Sequence, residues 1–414
     1  MLRSLISTLA IRGGGAFAGF AITLLMTNNL SPTSSGEVIY FITLISITGA
    51  LLTFGSNASL LKIISRLDFN RWDDINNNVS PILNYIFFSW SVVLLLIYVF
   101  GYGLDYYLVW IGALLFCIIQ VVSSLFQAQG KIKLSSAFQT CLYQLFFIFS
   151  LLIVFYMLEI DLISNKLLKF IFLTSLLFCS LAGLIFWFFR SGPRHRFSFK
   201  MTKEMKVSLP SVFIAMSMSQ IILWGGQLVV AWLLSVDNIA FYASAQKTAA
   251  LFSLILVATN FVVSPRYSKY FEEGDIRKVD ALSLYSSRFI LAVSFPIFIL
   301  FFIFSNEIMG LFGLDFYEYG YLLKVLLIGQ FINLLTGTVG YLLNMTNNEA
   351  DMRNIVLIMG PLSLIFCFIM TYIWGVLGTV IASSLSMIFQ NLLACYFVKL
   401  RLGFNTLNLV RKVR

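Results

Sequence analysis

Lys247 is the side chain in this sequence with the clearest potential for binding chemistry. It stands about eight residues into a long apolar stretch, and no acidic residue lies within a helical turn of it. At 1.5 Å of rise per residue, that depth is about 12 Å along a helix axis. A lysine at the middle of a membrane helix costs about 2.5–3.5 kcal/mol on insertion scales. Two accounts fit. The ammonium lines an interior cavity and attracts an anion, or it snorkels to the surface on its own stem. The depth is near the limit of that stem, which favours the cavity. Gln220, Trp224 and Gln227 stand at i, i+4 and i+7 and share one helix face. Two amides around an indole suit hydroxyl hydrogen bonding and stacking on a sugar ring. They equally suit hydrogen bonding between helices.

Arg12 lies near the start of the first apolar stretch beside Gly13, Gly14 and Gly15, which let another backbone or a head group approach. Lys62 closes the second stretch. For both, anchoring of a helix end competes with a ligand-binding role. Arg66 and Arg288 read as interfacial, and Lys324, with Glu318 about two turns before it, reads as half of a surface ion pair. Polar faces recur at Gln120, Ser124 and Gln127, and at Gln330, Asn333, Gly337 and Asn344. Several such faces together point to a hydrated interior.

Other chemistries find no support. No Walker-type GxxxxGK[ST] is present, so nucleotide hydrolysis is not expected. The one histidine, His195, falls in a polar connector. The five cysteines (Cys117, Cys141, Cys179, Cys367 and Cys395) fall in apolar stretches without metal-type spacing and read as packing residues. Neither a catalytic residue nor a metal or cofactor is expected, and the chain is not read as an enzyme. No Asp or Glu lies deep in an apolar stretch, and Glu37 and Asp105 sit at outer edges. Proton relays generally use such a carboxylate.

The elements that must position these residues are membrane helices. The chain is 59% hydrophobic and 11% charged, whereas soluble domains carry roughly a quarter charged residues. A span needs about 20 apolar residues to cross a core of about 30 Å. Twelve stretches qualify, near 8–30, 38–61, 81–103, 106–127, 138–158, 168–189, 208–234, 240–263, 286–305, 320–344, 354–373 and 375–398. Ala16-Phe17-Ala18 resembles a signal-cleavage site, but Arg12 and the glycines interrupt the run before it, so the first span is expected to stay. With the N-terminus in the cytoplasm, connectors on that side hold 24 of the 28 Lys and Arg; the exceptions are Lys166, Lys169, Lys247 and Lys324. Basic flanks stay cytoplasmic. The net charge of +10 then faces anionic lipid head groups rather than nucleic acid. The expectation is an all-α, multi-pass protein of the cell inner (cytoplasmic) membrane with both termini cytoplasmic.

The longest basic connector, 190–206, carries six Lys or Arg and lies midway, with six spans on either side. An even number of spans per half makes the halves parallel repeats about an axis along the membrane normal. Self-similarity supports this. Leu30-Ser31-Pro32-Thr33-Ser34-Ser35-Gly36 follows the first span, and Leu234-Ser235-Val236-Asp237-Asn238-Ile239-Ala240 follows the seventh. The expected organisation is a six-helix lobe over 1–189, a basic linker over 190–206, a second lobe over 207–398 and a basic tail over 399–414.

Four segments, in a shared order over most of the chain, carry a family resemblance. Leu30-Ser31-Pro32 with Gly36 is similar to a Leu-Gly-Pro turn with a downstream Gly, departing from it at Ser31 and at Ser35, where an aromatic is usual. Gly55-Ser56-Asn57-Ala58 followed by Lys62 resembles a Gly-Leu pair with a basic residue seven positions on. Phe126-Gln127-Ala128-Gln129-Gly130-Lys131 resembles a loop between helices four and five. Tyr372-Ile373-Trp374-Gly375-Val376-Leu377-Gly378-Thr379-Val380-Ile381-Ala382 looks like the hairpin between the last two helices, with Trp374 inserted and Thr379 for Ala. By these segments the chain resembles the polysaccharide flippase branch of the MOP exporter superfamily, the Wzx-type O-antigen translocases.

The resemblance implies two six-helix lobes around a central cavity. It implies movement of an undecaprenyl-diphosphate-linked oligosaccharide from the cytoplasmic to the periplasmic leaflet by alternating access. Its partners would be that lipid-linked oligosaccharide, membrane lipids and other polysaccharide-assembly proteins. On this reading Lys247, Arg12 and Lys62 attract the diphosphate while Gln220, Trp224 and Gln227 contact sugar. Two alternatives stay open. One is another exporter on the same scaffold, for drugs or teichoic acid. The other is a membrane polysaccharide polymerase or glycosyltransferase, which the short outer loops disfavour, the largest being about fifteen residues.

Overall fold

The computed structural model describes residues 2–64, 72–157, 163–191 and 199–410. Arg66, His195, the middle of the basic linker and the last four residues of the tail lie outside the described residues. Every regular element among the described residues is helical. In order these are α1 (Leu2–Asn29), α2 (Pro32–Leu52), α3 (Ser56–Ile64), α4 (Trp72–Val99), α5 (Leu104–Ala128) and α6 (Ile132–Ser136). A π-helical turn (Ala137–Cys141) leads into α7 (Leu142–Met157), followed by α8 (Asn165–Ser191), α9 (Lys203–Leu233), α10 (Val236–Phe252), α11 (Leu254–Glu272) and α12 (Ile276–Ile303). The chain ends through α13 (Ser305–Gly310), a 3₁₀ turn (Leu314–Tyr319), α14 (Gly320–Thr336), α15 (Val339–Met345) and α16 (Glu349–Leu402).

Eleven stretches among the described residues are long and apolar enough to cross a membrane. Ten of them each overlap one predicted span. The eleventh, Glu349–Leu402, takes up two. Its backbone leaves helical geometry at Trp374 (φ −122°, ψ 15°) and Gly375 (φ 60°, ψ −143°). Beyond that point the chain folds back on itself. Thr371 and Thr379 share a hydrogen bond of 2.7 Å, and Gly378 sits so close to the Met370 carbonyl that a Cβ there would collide. At the far ends, the Arg401 guanidinium grips the Asp351 carboxylate by two hydrogen bonds of 2.6 and 3.0 Å. The expected final hairpin is therefore present, turning on a glycine at positive φ.

Three predicted spans are not single helices. The second, 38–61, breaks where Phe54 and Gly55 take φ of 50° and 72°. A Cβ at Gly55 would lie 2.8 Å from the Phe213 backbone nitrogen, so both conformation and space require glycine there. Lys62 accordingly stands in the last turn of the separate helix α3, not at the end of a continuous second span. The eighth span divides at Ser253 into α10 and α11. The tenth divides at Gly337, with φ 75°. The second span of each predicted half thus breaks, after 21 residues in α2 and 17 in α10.

The chain packs as two compact units. The N-terminal unit comprises Ala10–Ala18 and Glu37–Gln220, and the C-terminal unit comprises Met1–Leu9, Gly19–Gly36 and Ile221–Arg414. The end of α1 joins the C-terminal unit through specific contacts. Phe20 meets Phe312 edge-on at 5.4 Å, the Asn28 amide donates to the Leu311 carbonyl at 2.7 Å, and Gly36 lies directly against the Val236 carbonyl. The two turns identified as similar in sequence therefore touch, and Gly36 is glycine because a side chain would fill that contact.

Lipid tails are as apolar as leucine, so helices in a bilayer associate by close packing rather than hydrophobic exclusion. Small residues mark the crossings. A Cβ at Gly49 would lie 2.9 Å from the Ala113 carbonyl, and one at Gly329 would lie 2.8 Å from the Ser384 Cβ. Tyr267, Val279, Leu342, Ile355 and Val398 form a buried core in the C-terminal unit. Large apolar side chains such as Tyr98, Phe149, Ile185 and Ile303 stay exposed, as lipid-facing positions require.

Candidate functional site

The site in the C-terminal unit is built where α10 lies along α9. Gly226 allows it. A side chain there would collide with the Tyr242 hydroxyl from α10 and press on the Ser383 hydroxyl, 2.9 Å away. Those two hydroxyls hydrogen-bond to each other at 3.0 Å. One turn after Tyr242, the Gln246 amide donates to the Leu223 carbonyl at 3.1 Å. This fixes the register of α10 on α9 and brings Lys247 over Trp224.

The Lys247 Nζ lies 5.5 Å from the centre of the Trp224 ring. Both residues are half-buried, and Lys247 makes no ion pair or hydrogen bond with another described residue. A cation on a ring face gains about 0.5–2 kcal/mol. That is less than the insertion cost of about 2.5–3.5 kcal/mol for a lysine at mid-helix. The shortfall leaves an ammonium with capacity for an anion. Gln227, one turn beyond Trp224, is 1% exposed, and its Nε2 has no partner among the described residues. Leaving such a buried donor unsatisfied costs about 1–3 kcal/mol, which an acceptor at this position would offset. Gln220 closes the N-terminal unit, where it is half-buried.

Arg12 and Lys62 belong to the N-terminal unit. Arg12 Nε donates to the Ser136 hydroxyl at 3.3 Å, just before the π-helical turn. Gly15 takes the close approach foreseen for the glycine run, since a Cβ there would lie 2.7 Å from the Thr140 carbonyl. Around it, the Gln139 amide donates to Gln120 at 3.0 Å and the Ser123 hydroxyl to the Ser135 carbonyl at 2.8 Å. Arg12 thus joins an interhelical polar seam. Lys62 is exposed in α3. Arg288 Nε donates to the Leu409 carbonyl at 2.9 Å.

One cluster escapes sequence reading. Lys169, in the second turn of α8, is 5% exposed. Its Nζ lies 3.1 Å from an Asp105 oxygen and 3.7 Å from a Glu37 oxygen, and 5.7 Å above the Phe41 ring. Asn165 also donates to Glu37. Asp105 stands in the first turn of α5, where a negative charge complements the helix dipole, and Glu37 lies in the second turn of α2. Periodicity along one helix cannot show pairing between three helices. The available signal was positional: Glu37, Asp105 and Lys169 all fall at the same predicted edge of the membrane.

Lys324 corrects another expectation. It rests 5.8 Å above the Phe302 ring and forms no ion pair with Glu318 among the described residues. In the connector between α11 and α12, the Asp275 carboxylate caps α12 by accepting from the Lys278 N–H at 3.0 Å. Hydrogen bonds from the Lys278 side chain and backbone hold the Asp275 carboxyl below the usual carboxylate range.

No family model matches the chain, and no curated protein does. Solved structures do match. An inward-facing multidrug resistance MATE family transporter of the MOP superfamily superposes with a TM-score of 0.71 at 14% identity, over 96% of this chain and 98% of its own. The lipid II flippase MurJ, in an inward closed conformation, gives 0.71 at 15% identity, over 96% and 88%. An outward-facing MATE transporter of the MOP superfamily gives 0.65 at 15%, over 96% and 95%. The chain therefore has the all-α fold of MOP-superfamily membrane transporters.

Proposed function

We propose that this protein is a flippase for an anionic lipid-linked oligosaccharide, of the undecaprenyl-diphosphate-linked O-antigen type. It carries its cargo from the cytoplasmic to the periplasmic leaflet of the inner membrane by alternating access, with both termini cytoplasmic. The observation that carries this reading is Lys247, seated on Trp224 without a carboxylate partner among the described residues, in a fold shared with a lipid II flippase. Lys247 attracts the diphosphate, Trp224 and the free Gln227 amide meet the first sugars, and Arg12, Lys62 and Gln220 contribute from the N-terminal unit. The lobes expected over 1–189 and 207–398 rock against each other, and the lipid tail stays in the bilayer.

A cation-drug exporter is the second reading, because the MATE transporter fits the fold as well as the flippase does. A lysine without a nearby acid repels cationic drugs, which ranks that reading lower. The test is surface glycan in a deletion strain complemented with wild type, Lys247→Ala, Lys247→Glu or Lys247→Arg at matched expression. Loss with Ala and Glu, rescue by Arg and internal accumulation of lipid-linked repeat units are expected. Normal glycan in the deletion strain, with new drug sensitivity, would establish the exporter instead. Single repeat units displayed on the surface of the deletion strain would establish a polymerase.

A further inference from the structure

The break between α2 and α3 opens a second feature, independent of the transport reading. Where it meets α4 and the start of α9, the N-terminal unit holds a cavity of about 560 Å³. Phe54, Tyr85, Phe88 and Phe213 dominate its wall, and Lys206 is the one charged residue lining it among the described residues. Phe199 packs edge-on against both Tyr85 and Phe88, with ring centres at 5.1 and 6.4 Å, which steadies that wall.

The polar groups lining the cavity carry two further observations. Ser56 lines it, is 1% exposed, and its hydroxyl has no partner among the described residues. Ser56 is also the first residue of α3, a helix of nine residues, so the hydroxyl stands at the positive end of a helix dipole. Lys206 forms no ion pair with another described residue. A lysine and an unused buried hydroxyl at the positive end of a helix dipole, lining one cavity, are donors suited to a phosphate. The aromatic wall has no use for free phosphate, but it suits a hydrocarbon chain. A lysine with no ion pair among the described residues favours a head group of net negative charge over a zwitterion. Basic pockets between membrane helices take anionic head groups in this way.

The geometry points to a binding site for an anionic phospholipid, its phosphate held by Lys206 and Ser56 and one acyl chain laid along Phe54, Tyr85, Phe88 and Phe213. The lipid fills the gap left by the broken second span and ties α3 to α9.

The experiment uses the purified full-length protein in mild detergent, titrated with phosphatidylglycerol or phosphatidylcholine. Lipid retained is read by native mass spectrometry and the unfolding midpoint by heating. Wild type is expected to retain phosphatidylglycerol in preference and to gain stability from it. Lys206→Glu, a change of two charge units, should weaken that retention about 30-fold, from about 1 kcal/mol for each unit of charge near an anionic lipid. Ser56→Ala should weaken it less, and Lys206→Arg should preserve it, which keeps the test decisive if the Glu variant folds poorly. Equal retention of the two lipids by wild type, or undiminished phosphatidylglycerol binding by Lys206→Glu, overturns the site. Displacement of phosphatidylglycerol by inorganic phosphate, or by a polyprenyl phosphate at lower concentration, overturns the assignment to a phospholipid.

Discussion

The two units treat a lysine in opposite ways. In the N-terminal unit, Lys169 is almost fully buried and is neutralised by Glu37 and Asp105, with Asn165 and Phe41 completing its surroundings. In the C-terminal unit, Lys247 is half-buried, lies over the Trp224 ring and pairs with no acid among the described residues. A charge that a fold needs for its own cohesion is matched within the fold, because an unmatched buried charge is expensive. A charge left unmatched is tolerated where a ligand supplies the counter-charge. On the proposed function, the contrast assigns Lys169 to architecture and Lys247 to binding the anion.

Each side of this comparison can be broken separately. Lys247→Glu should have the largest effect. Removing one partner of a buried charge pair costs about 2–5 kcal/mol, so transport should fall by about 30-fold or more. Protein level in the membrane should hold, as measured by quantitative immunoblot beside the glycan assay. Asp105→Asn should instead cost stability, by about 1–3 kcal/mol for a charged group losing a partner. Its side chain is 59% exposed, which places the effect toward the lower end. The unfolding midpoint in detergent should drop while transport per folded molecule stays unchanged. If Asp105→Asn impairs transport without loss of stability, the architectural role assigned to Lys169 is wrong.

Trp224→Ala should reduce transport by about 2–30-fold, the equivalent of about 0.5–2 kcal/mol of ring contact, and Trp224→Phe should recover part of it. The smallest effect concerns Asp275, which serves as a control from an exposed pair in the C-terminal unit. Its carboxyl is held below the usual range by Lys278, so its contribution is present above the unfolded-state value. That contribution is lost as pH falls through the lower, folded value. Thermal unfolding on descending from about pH 4 should show a slightly shallower acid loss for Asp275→Asn than for wild type. Transport at neutral pH should not change.

Much of this arrangement is legible in the sequence. Apolar runs of sufficient length locate every span, and the Gly375 turn is foreshadowed by the resemblance of residues 372–382 to a family hairpin between the last two helices. The breaks at Phe54–Gly55, Ser253 and Gly337 are not legible, because a glycine or serine inside an apolar run looks the same whether it packs or bends. For the site, Lys247 and the Trp224 face are each visible along their own helices. Their stacking is not, since it depends on which face α10 turns toward α9. That is decided by the Gly226–Tyr242 contact and the Gln246–Leu223 hydrogen bond. Lys169 shows the same limit from the other side. The sequence registers it as an exception to the basic-loop pattern, while its partners stand on two other helices.

The central claim, that Lys247 is held open for an anion, is tested most directly by equilibrium binding to the purified protein. Two ligands with the same sugar and the same polyprenyl chain should be compared, one joined through diphosphate and one through a neutral ether. The account predicts preference for the diphosphate in wild type and Lys247→Arg, and loss of that preference in Lys247→Ala and Lys247→Glu. Equal binding of both ligands by wild type, or an unchanged preference in Lys247→Glu, would contradict it.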